Sequence, residues 1–453
     1  MKSYRFKALL QNQGWLENAT VSVDDSGKIA AVSEEQIPGS TYIEAYALPG
    51  FQNAHSHAFQ YAMAGLAERH PAGAKADDFW SWREAMYQLA LNLNPEQMKT
   101  IAAMLYTELL RHGYTNVAEF HYVHHDKNGA PYENLAAMGE ALIEAAKEIG
   151  IKITLIPIFY QKGGFGLPPN DRQKRFISRT FEDYLKLFEA SSEKCKQYEG
   201  ANIALGIHSL RGVDAQNVLR TAEAAPKDVP FHIHISEQLK EVEDALAFLG
   251  KRPVEWMLDN LELSERFHLV HATHLTDDET EKLAKTGANV VLCPSTEGNL
   301  GDGLFPLRRF QSSGGNWSIG TDSHIGLNFF EELRVLDYGQ RLISHKRNTF
   351  TDANTNDSGL FAICKATIAG RKAMNNFKNE FFASGSPFDA CLIKADEPLM
   401  ANVRTENLAS TIVYSTDPSQ IYGTFVSGTL TQKDGEQSRI KAGFIDCVQQ
   451  FRS

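Results

Sequence analysis

The sequence predicts an α/β chain: a (β/α)8 TIM-like barrel with a small β-sandwich domain built from both termini. Three observations predict it. Eight short apolar segments alternate with helical ones between about residue 49 and residue 376. Short β-like pieces occupy both ends, outside that alternation. Histidine and acidic residues gather where the apolar segments end.

The elements follow in order. Residues 1–48 hold ATVSV and KIAAVS, split by a DDSGK turn, and form the N-terminal part of the small domain. From Pro49 the pattern changes. The strand cores are FQNAHSH, TNVAEFHY, KITLIPIFY, IALGIHSLR, PFHIHISE, FHLVHATH, NVVLCPST and WSIGTDSH. Periodic helices such as residues 95–113 and 131–150 lie between them, each closed by glycine. Strands alternating with helices imply right-handed βαβ units and a parallel sheet. Eight such units in one run imply a barrel over residues 49–376. Residues 377–453 carry FDACLI, STIVYS and GTFVSGTLTQ, rich in β-branched and aromatic residues, and complete the small domain.

Composition narrows the function. Hydrophobic residues make up 43% and charged residues 22%, ordinary for a chain that buries a core. A net charge of −11 argues against nucleic acid or an anionic membrane as partner. No run of about 18 uncharged apolar residues exists, so no transmembrane helix is expected. The five cysteines are widely spaced and form no CxxC, which fits a reducing compartment. The N-terminus lacks the apolar run of a signal peptide, so a cytoplasmic location is expected. Neither GxxxxGK[ST] nor a GxGxxG at a strand-to-helix turn occurs, which sets phosphate-loop chemistry aside.

Active sites of such barrels sit at the C-terminal strand ends, so polar residues there are the site candidates. Strand one ends in His55 and His57. Residues i and i+2 of a strand share a face, and two imidazoles there can grip one cation. Strand five carries His232 and His234, which also share a face. His234 lies nearer the strand end and three before Glu237, so it is the preferred ligand and His232 the deeper core residue. Strand eight ends in Asp322. Three histidines and one aspartate suit Zn or Fe(II) rather than Mg or Ca. Hydrolysis at such a site also needs an acid/base group near the metal but not bound to it, and Glu237 supplies one. His271, on strand six, is placed to polarise substrate or nucleophile. Arg211, after strand four, reads either as a bidentate carboxylate clamp or as a surface arginine. His121 and Tyr122 end strand two, and parity does not say which faces the pocket.

LPGFQNAHSH, HISE, VHATH and GTDSH resemble the amidohydrolase superfamily, and within it the mononuclear deaminase branch. HSHAFQYAMAGLAE, FWSWREAMYQ, VAEFHYVHHD, GIHSLRGV, LVHATHLTDDE and EELRVLDYGQR are similar to members that deiminate a formimino group. The resemblance covers nearly the whole chain. It implies one Zn2+ per subunit, with Fe2+ as the other option, held by His55, His57, His234 and Asp322. Binuclear members use a lysine on strand four. This chain has His208 there instead, so one ion is expected. The resemblance further implies proton handling by Glu237, His271 and Asp322. Substrate contacts would come from Gln60, Arg83, Tyr122, His208 and Arg211, with Arg83 acting in its own or a neighbouring subunit of a homodimer. The implied reaction is hydrolysis of the small dicarboxylate N-formimino-L-glutamate to N-formyl-L-glutamate and ammonia, in histidine degradation. The alternatives are deamination of a heterocycle such as guanine, and a non-catalytic binding barrel, against which the complete ligand set argues.

Overall fold

The computed structural model describes residues 1–68, 79–347, 349–352, 355–431 and 437–452. Eight parallel strands follow one another around the central sheet. They are Phe51–Ser56, Tyr114–His121, Lys152–Phe159, Leu205–Ile207, Phe231–Ile235, Phe267–His271, Asn289–Leu292 and Asn316–Ile319. All are buried over nearly their whole length. Helices cover the outside and side chains fill the inside, which is why these strands read as apolar runs rather than alternating ones.

The fourth strand is broken. Ala201–Ile203 and Leu205–Ile207 pair with successive halves of strand three, and Ala204 between them donates its N–H to Leu155 O at 3.0 Å. The seam between strands eight and one closes the barrel. Ser56 pairs in parallel with Asp322, and the Thr321 and Asp322 N–H groups both donate to His55 O, at 3.1 and 3.0 Å. Asn53 stitches the same seam, donating to Thr321 Oγ1 at 2.7 Å and accepting from Thr321 N at 2.9 Å.

The helices carry the capping chemistry their sequences suggest. Pro95–Arg111 starts with a reciprocal Asn94/Gln97 capping box. Ala137–Ile149 ends at Gly150, whose φ of +81° suits glycine. That helix begins later than the expected residue 131, because Asn134 takes the Ala136 N–H in a turn ahead of it.

Both termini build one eight-stranded mixed sheet beside the barrel. Thr41–Pro49 is its hinge element, parallel to Lys2–Gln11 on one side and antiparallel to Ala390–Lys394 on the other. Phe6, Phe388 and Phe425 fill its core, with the last two rings 4.7 Å apart.

One expected element is different. STIVYS, residues 410–415, is not a strand but the end of a helix, Thr405–Ser415. Its buried residues are Leu408, Ala409, Ile412 and Val413, a helical stripe that packs on helix Ser358–Ala373. The two helices cross where Gly359 meets Ala409, and a Cβ at Gly359 would lie 2.3 Å from the Ala409 carbonyl carbon. The last helix, Gln437–Arg452, packs on Pro95–Arg111. Residues 377–453 are therefore shared between the terminal sheet and the barrel's outer layer.

Candidate active site

A pocket opens at the C-terminal ends of the strands. Its floor is the end of strand one. The floor turns sharply after Ser56, and Glu119 holds that turn. Its carboxylate accepts from Ala58 N at 2.6 Å, Ser56 Oγ at 2.8 Å and Tyr106 Oη at 3.2 Å. Burial drives the Glu119 carboxyl up to about 7 despite those three donors.

On this floor His55, His57, His234 and Asp322 converge. His55 Nε2 lies 3.0 Å from His234 Nε2. Asp322 Oδ1 lies 3.4 Å from His57 Nε2 and 3.7 Å from His55 Nε2. Ligands about 2.0–2.1 Å from one tetrahedral ion stand about 3.3 Å apart, close to these three separations. The donor set of imidazoles plus one carboxylate oxygen fits Zn or Fe(II). His57 Nδ1 bonds Phe120 O at 2.8 Å, which assigns the proton to that nitrogen and leaves the Nε2 lone pair facing the cluster. Burial, and then the neighbouring imidazoles, hold His55 and His234 well below the ordinary histidine range. Burial takes His57 down to about 3. All three are therefore neutral, as ligation requires.

The two Asp322 oxygens face different partners. Oδ1 faces the imidazoles of strand one, while Oδ2 lies 3.7 Å from His271 Nε2. His271 Nε2 is also 3.9 Å from Glu237 Oε1. Burial raises the Asp322 carboxyl to about 7, a rise that His271 opposes and Glu237 and Glu297 reinforce. Burial would lower His271, but Glu237, Glu297 and Asp322 around it push it up to about 10. Backbone strain marks the same places. Ser236, His271, Ala272, Asp322 and His324 all adopt positive φ between +48° and +68°. The strand ends thus turn abruptly and aim their side chains inward.

The residues expected to contact substrate line the walls. Gln60 donates to Tyr122 Oη at 3.0 Å, and its Oε1 is buried without a partner among the described residues. His208 stacks on Tyr160, ring centroids 4.2 Å apart, and burial with the nearby Arg211 cation holds it well below the usual histidine range. Arg211 is 3.3 Å from Glu241 Oε2, an ion pair not aligned as a hydrogen bond. The same Glu241 oxygen accepts the Glu237 N–H at 3.1 Å. Arg83 lines the pocket of its own chain, 5.6 Å from the Tyr87 ring centroid. Tyr122, not His121, faces the pocket; His121 packs edge-on against His124. His232 lies deeper, stacked on His268 and bonded to Ala373 O at 3.1 Å.

Other contributors escaped the sequence reading. Glu297, three residues past Pro294, sits behind His271, and the strand-end rule applied to strand seven would have flagged it. Glu119 and Glu241 are buried carboxylates, the former in the middle of a fully buried strand, which is itself a signal. Trp82, Tyr87, Tyr160 and Phe176 complete the wall.

Comparison with known proteins agrees with this geometry. A family described as the amidohydrolase family matches residues 46–431. Formimidoylglutamate deiminase of Pseudomonas aeruginosa is 39% identical, covering 95% of this chain and 94% of its own. A 5-methylthioadenosine/S-adenosylhomocysteine deaminase of Thermodesulfovibrio yellowstonii is 26% identical, covering 94% of this chain and 91% of its own. Among solved structures, an amidohydrolase from Brucella melitensis superposes with a TM-score of 0.94 at 36% identity, over 100% of both chains.

Proposed function

Because the chain belongs to the amidohydrolase family, we propose that it hydrolyses N-formimino-L-glutamate to N-formyl-L-glutamate and ammonia, a step of histidine degradation. The chain is a hydrolase of C–N bonds. The observation that carries the choice of substrate is Arg211. It is a largely buried guanidinium in the same pocket as Glu237, His271 and Asp322. A cation is costly to bury, and a substrate carboxylate is the partner that makes use of it. Arg83, on the same pocket wall, serves the second carboxylate.

His55, His57, His234 and Asp322 would hold one Zn2+ or Fe2+. When bound, such an ion supplies a Lewis acid and lowers the pKa of a water from 15.7 toward about 7. The chain's residues do the rest. Arg211, Arg83, Gln60 and Tyr122 fix the glutamyl arm and set the formimino carbon over the floor. Asp322 takes up the water's proton at Oδ2, the oxygen turned away from the strand-one imidazoles. A carbon–oxygen bond forms at the formimino carbon. Glu237 delivers a proton to the terminal nitrogen of the protonated amidine, His271 steadies the developing charge, and the carbon–nitrogen bond breaks to release ammonia. The added oxygen returns its remaining proton to Glu237 as the formyl C=O forms, and the proton on Asp322 leaves with the ammonia.

A second reading has an observation in its favour. Trp82, Tyr87, Tyr122, Tyr160 and Phe176 give the pocket aromatic walls, which suit a heterocycle. A neutral purine offers no carboxylate for Arg211 or Arg83 to hold. Ammonia release measured side by side on N-formimino-L-glutamate and guanine decides between them, and turnover of guanine alone would overturn our reading.

The enzyme is proposed to work as a cytoplasmic homodimer. Five unpaired thiols suit a reducing compartment. Exposed Val335, Tyr338 and Leu342 form an apolar stripe along helix Phe329–Ser344, a face for a second subunit.

A further inference from the structure

We propose that Glu297 is a positioning residue that fixes the His271 imidazole for proton handling. The inference rests on the hydrolytic reading of the pocket. Glu297 is not among the residues that line the pocket, so it acts through His271. Its Oε1 lies 3.2 Å from His271 Nδ1 and accepts the Cys293 N–H at 2.9 Å.

The carboxylate is itself rigidly held. Glu297 N donates to Cys293 O at 2.8 Å, and Asp302 N donates to Glu297 O at 2.9 Å. The preceding Thr296 ties the segment to the end of strand eight, with its Oγ1 3.1 Å from Ser323 Oγ and 3.3 Å from Thr321 O. Strand seven thus joins the site through a fixed acceptor anchored beside Asp322.

His271 needs such an acceptor. It and Ala272 adopt φ of +68° and +50°, so the chain reverses at this residue. The ring stands between carboxylates, with Nδ1 toward Glu297 and Nε2 toward Glu237 and Asp322. The χ2 rotation of histidine is soft, and the backbone alone does not choose which nitrogen faces the pocket. An acceptor on Nδ1 makes that choice: Glu297 holds the Nδ1–H, and Nε2 is turned to Glu237 and the substrate.

The test uses the full-length, metal-loaded enzyme with Glu297→Ala, Glu297→Asp and Glu297→Gln. Kinetics on N-formimino-L-glutamate, metal content, thermal melting and 15N-histidine NMR are read together. Glu297→Ala and Glu297→Asp are expected to lower kcat about 10–100-fold, as loss of an imidazole's orienting partner does. KM and metal content should stay near wild type, and the His271 Nδ1 signal should shift. Glu297→Gln keeps an acceptor oxygen and should recover most of the rate. Unchanged kcat in Glu297→Ala and Glu297→Asp would overturn the proposal. So would losses that merely track metal content or melting, or no recovery in Glu297→Gln. If wild-type enzyme releases no ammonia from this substrate, the functional reading fails on its own. The His271 spectrum of the variants then still decides the positioning role.

Discussion

Gly320 packs directly against His55: a Cβ at Gly320 would lie 2.7 Å from His55 Cβ and 3.0 Å from its backbone nitrogen and oxygen. Both partners are confined, because His55 O already receives the Thr321 and Asp322 N–H groups. Gly320→Ala is expected to push strand one away from the seam. It should destabilise the fold by about 1–3 kcal/mol and lower metal stoichiometry, while Arg211 and its surroundings stay intact. Denaturant melts with metal analysis check this. Full metal content at wild-type stability would show that the seam can yield.

Asp322→Asn should reduce turnover at least about a thousandfold. The amide cannot take up a proton as the carboxylate does, and it is a poor ligand for Zn or Fe. Ammonia release per bound metal separates the two effects. A rate within tenfold of wild type would remove Asp322 from proton handling.

Arg211→Met should act mainly on substrate capture. Losing a charge-assisted contact costs about 1.5–3 kcal/mol, so kcat/KM should fall about 10–150-fold, chiefly through KM. Kinetics with N-formimino-L-glutamate, compared with an amidine lacking carboxylates, test it. An equal loss on both substrates would mean that Arg211 serves only to hold Glu241.

Metal removal should lower both activity and melting temperature. With the cation gone, His55, His57 and Asp322 crowd together without a common partner, with His234 beside His55. A chelated sample refilled with Zn2+ or Fe2+ should regain both properties, since a ligand that binds only the folded state stabilises it. An unchanged melting temperature after complete metal loss would place the ion elsewhere.

Glu332 sets a pH effect away from the pocket. Burial, opposed by the Ser295 N–H that it accepts at 2.9 Å, raises its carboxyl to about 8 from 4.5. The folded state therefore holds a proton that the unfolded chain has lost. The associated stability is present below about 4.5 and fades as the pH rises through about 8. Wild type should lose melting temperature between pH 6 and pH 9, and Glu332→Gln should lose less. Parallel curves for the two proteins would assign the loss to other groups.

The eight barrel strands were legible because a buried parallel strand is short, apolar and bounded by turns. The proposed ligands were picked out because the same-face spacing of His55 and His57 recurs as strand-end chemistry at His234 and Asp322. The partners behind them were not. Glu241 lies in the first turn of the helix that follows Glu237, and Glu297 sits on a short helix of its own. Both matter through burial and direction, which sequence spacing does not report. STIVYS misled for a related reason. Its β-branched residues suit a strand in isolation, but Leu408 and Ala409 ahead of them extend the apolar stripe into a helical period that packing on Ser358–Ala373 then selects.

The seam joining Asn53 to Thr321 links positions 268 residues apart. During synthesis, His55 and His57 leave the ribosome long before Asp322 exists. Half of the proposed ligand set must wait for nearly three-quarters of the protein to be made. Nascent or truncated chains that lack strand eight would therefore be incapable of ammonia release, and hydrolytic capacity would appear only once the circle of strands is complete.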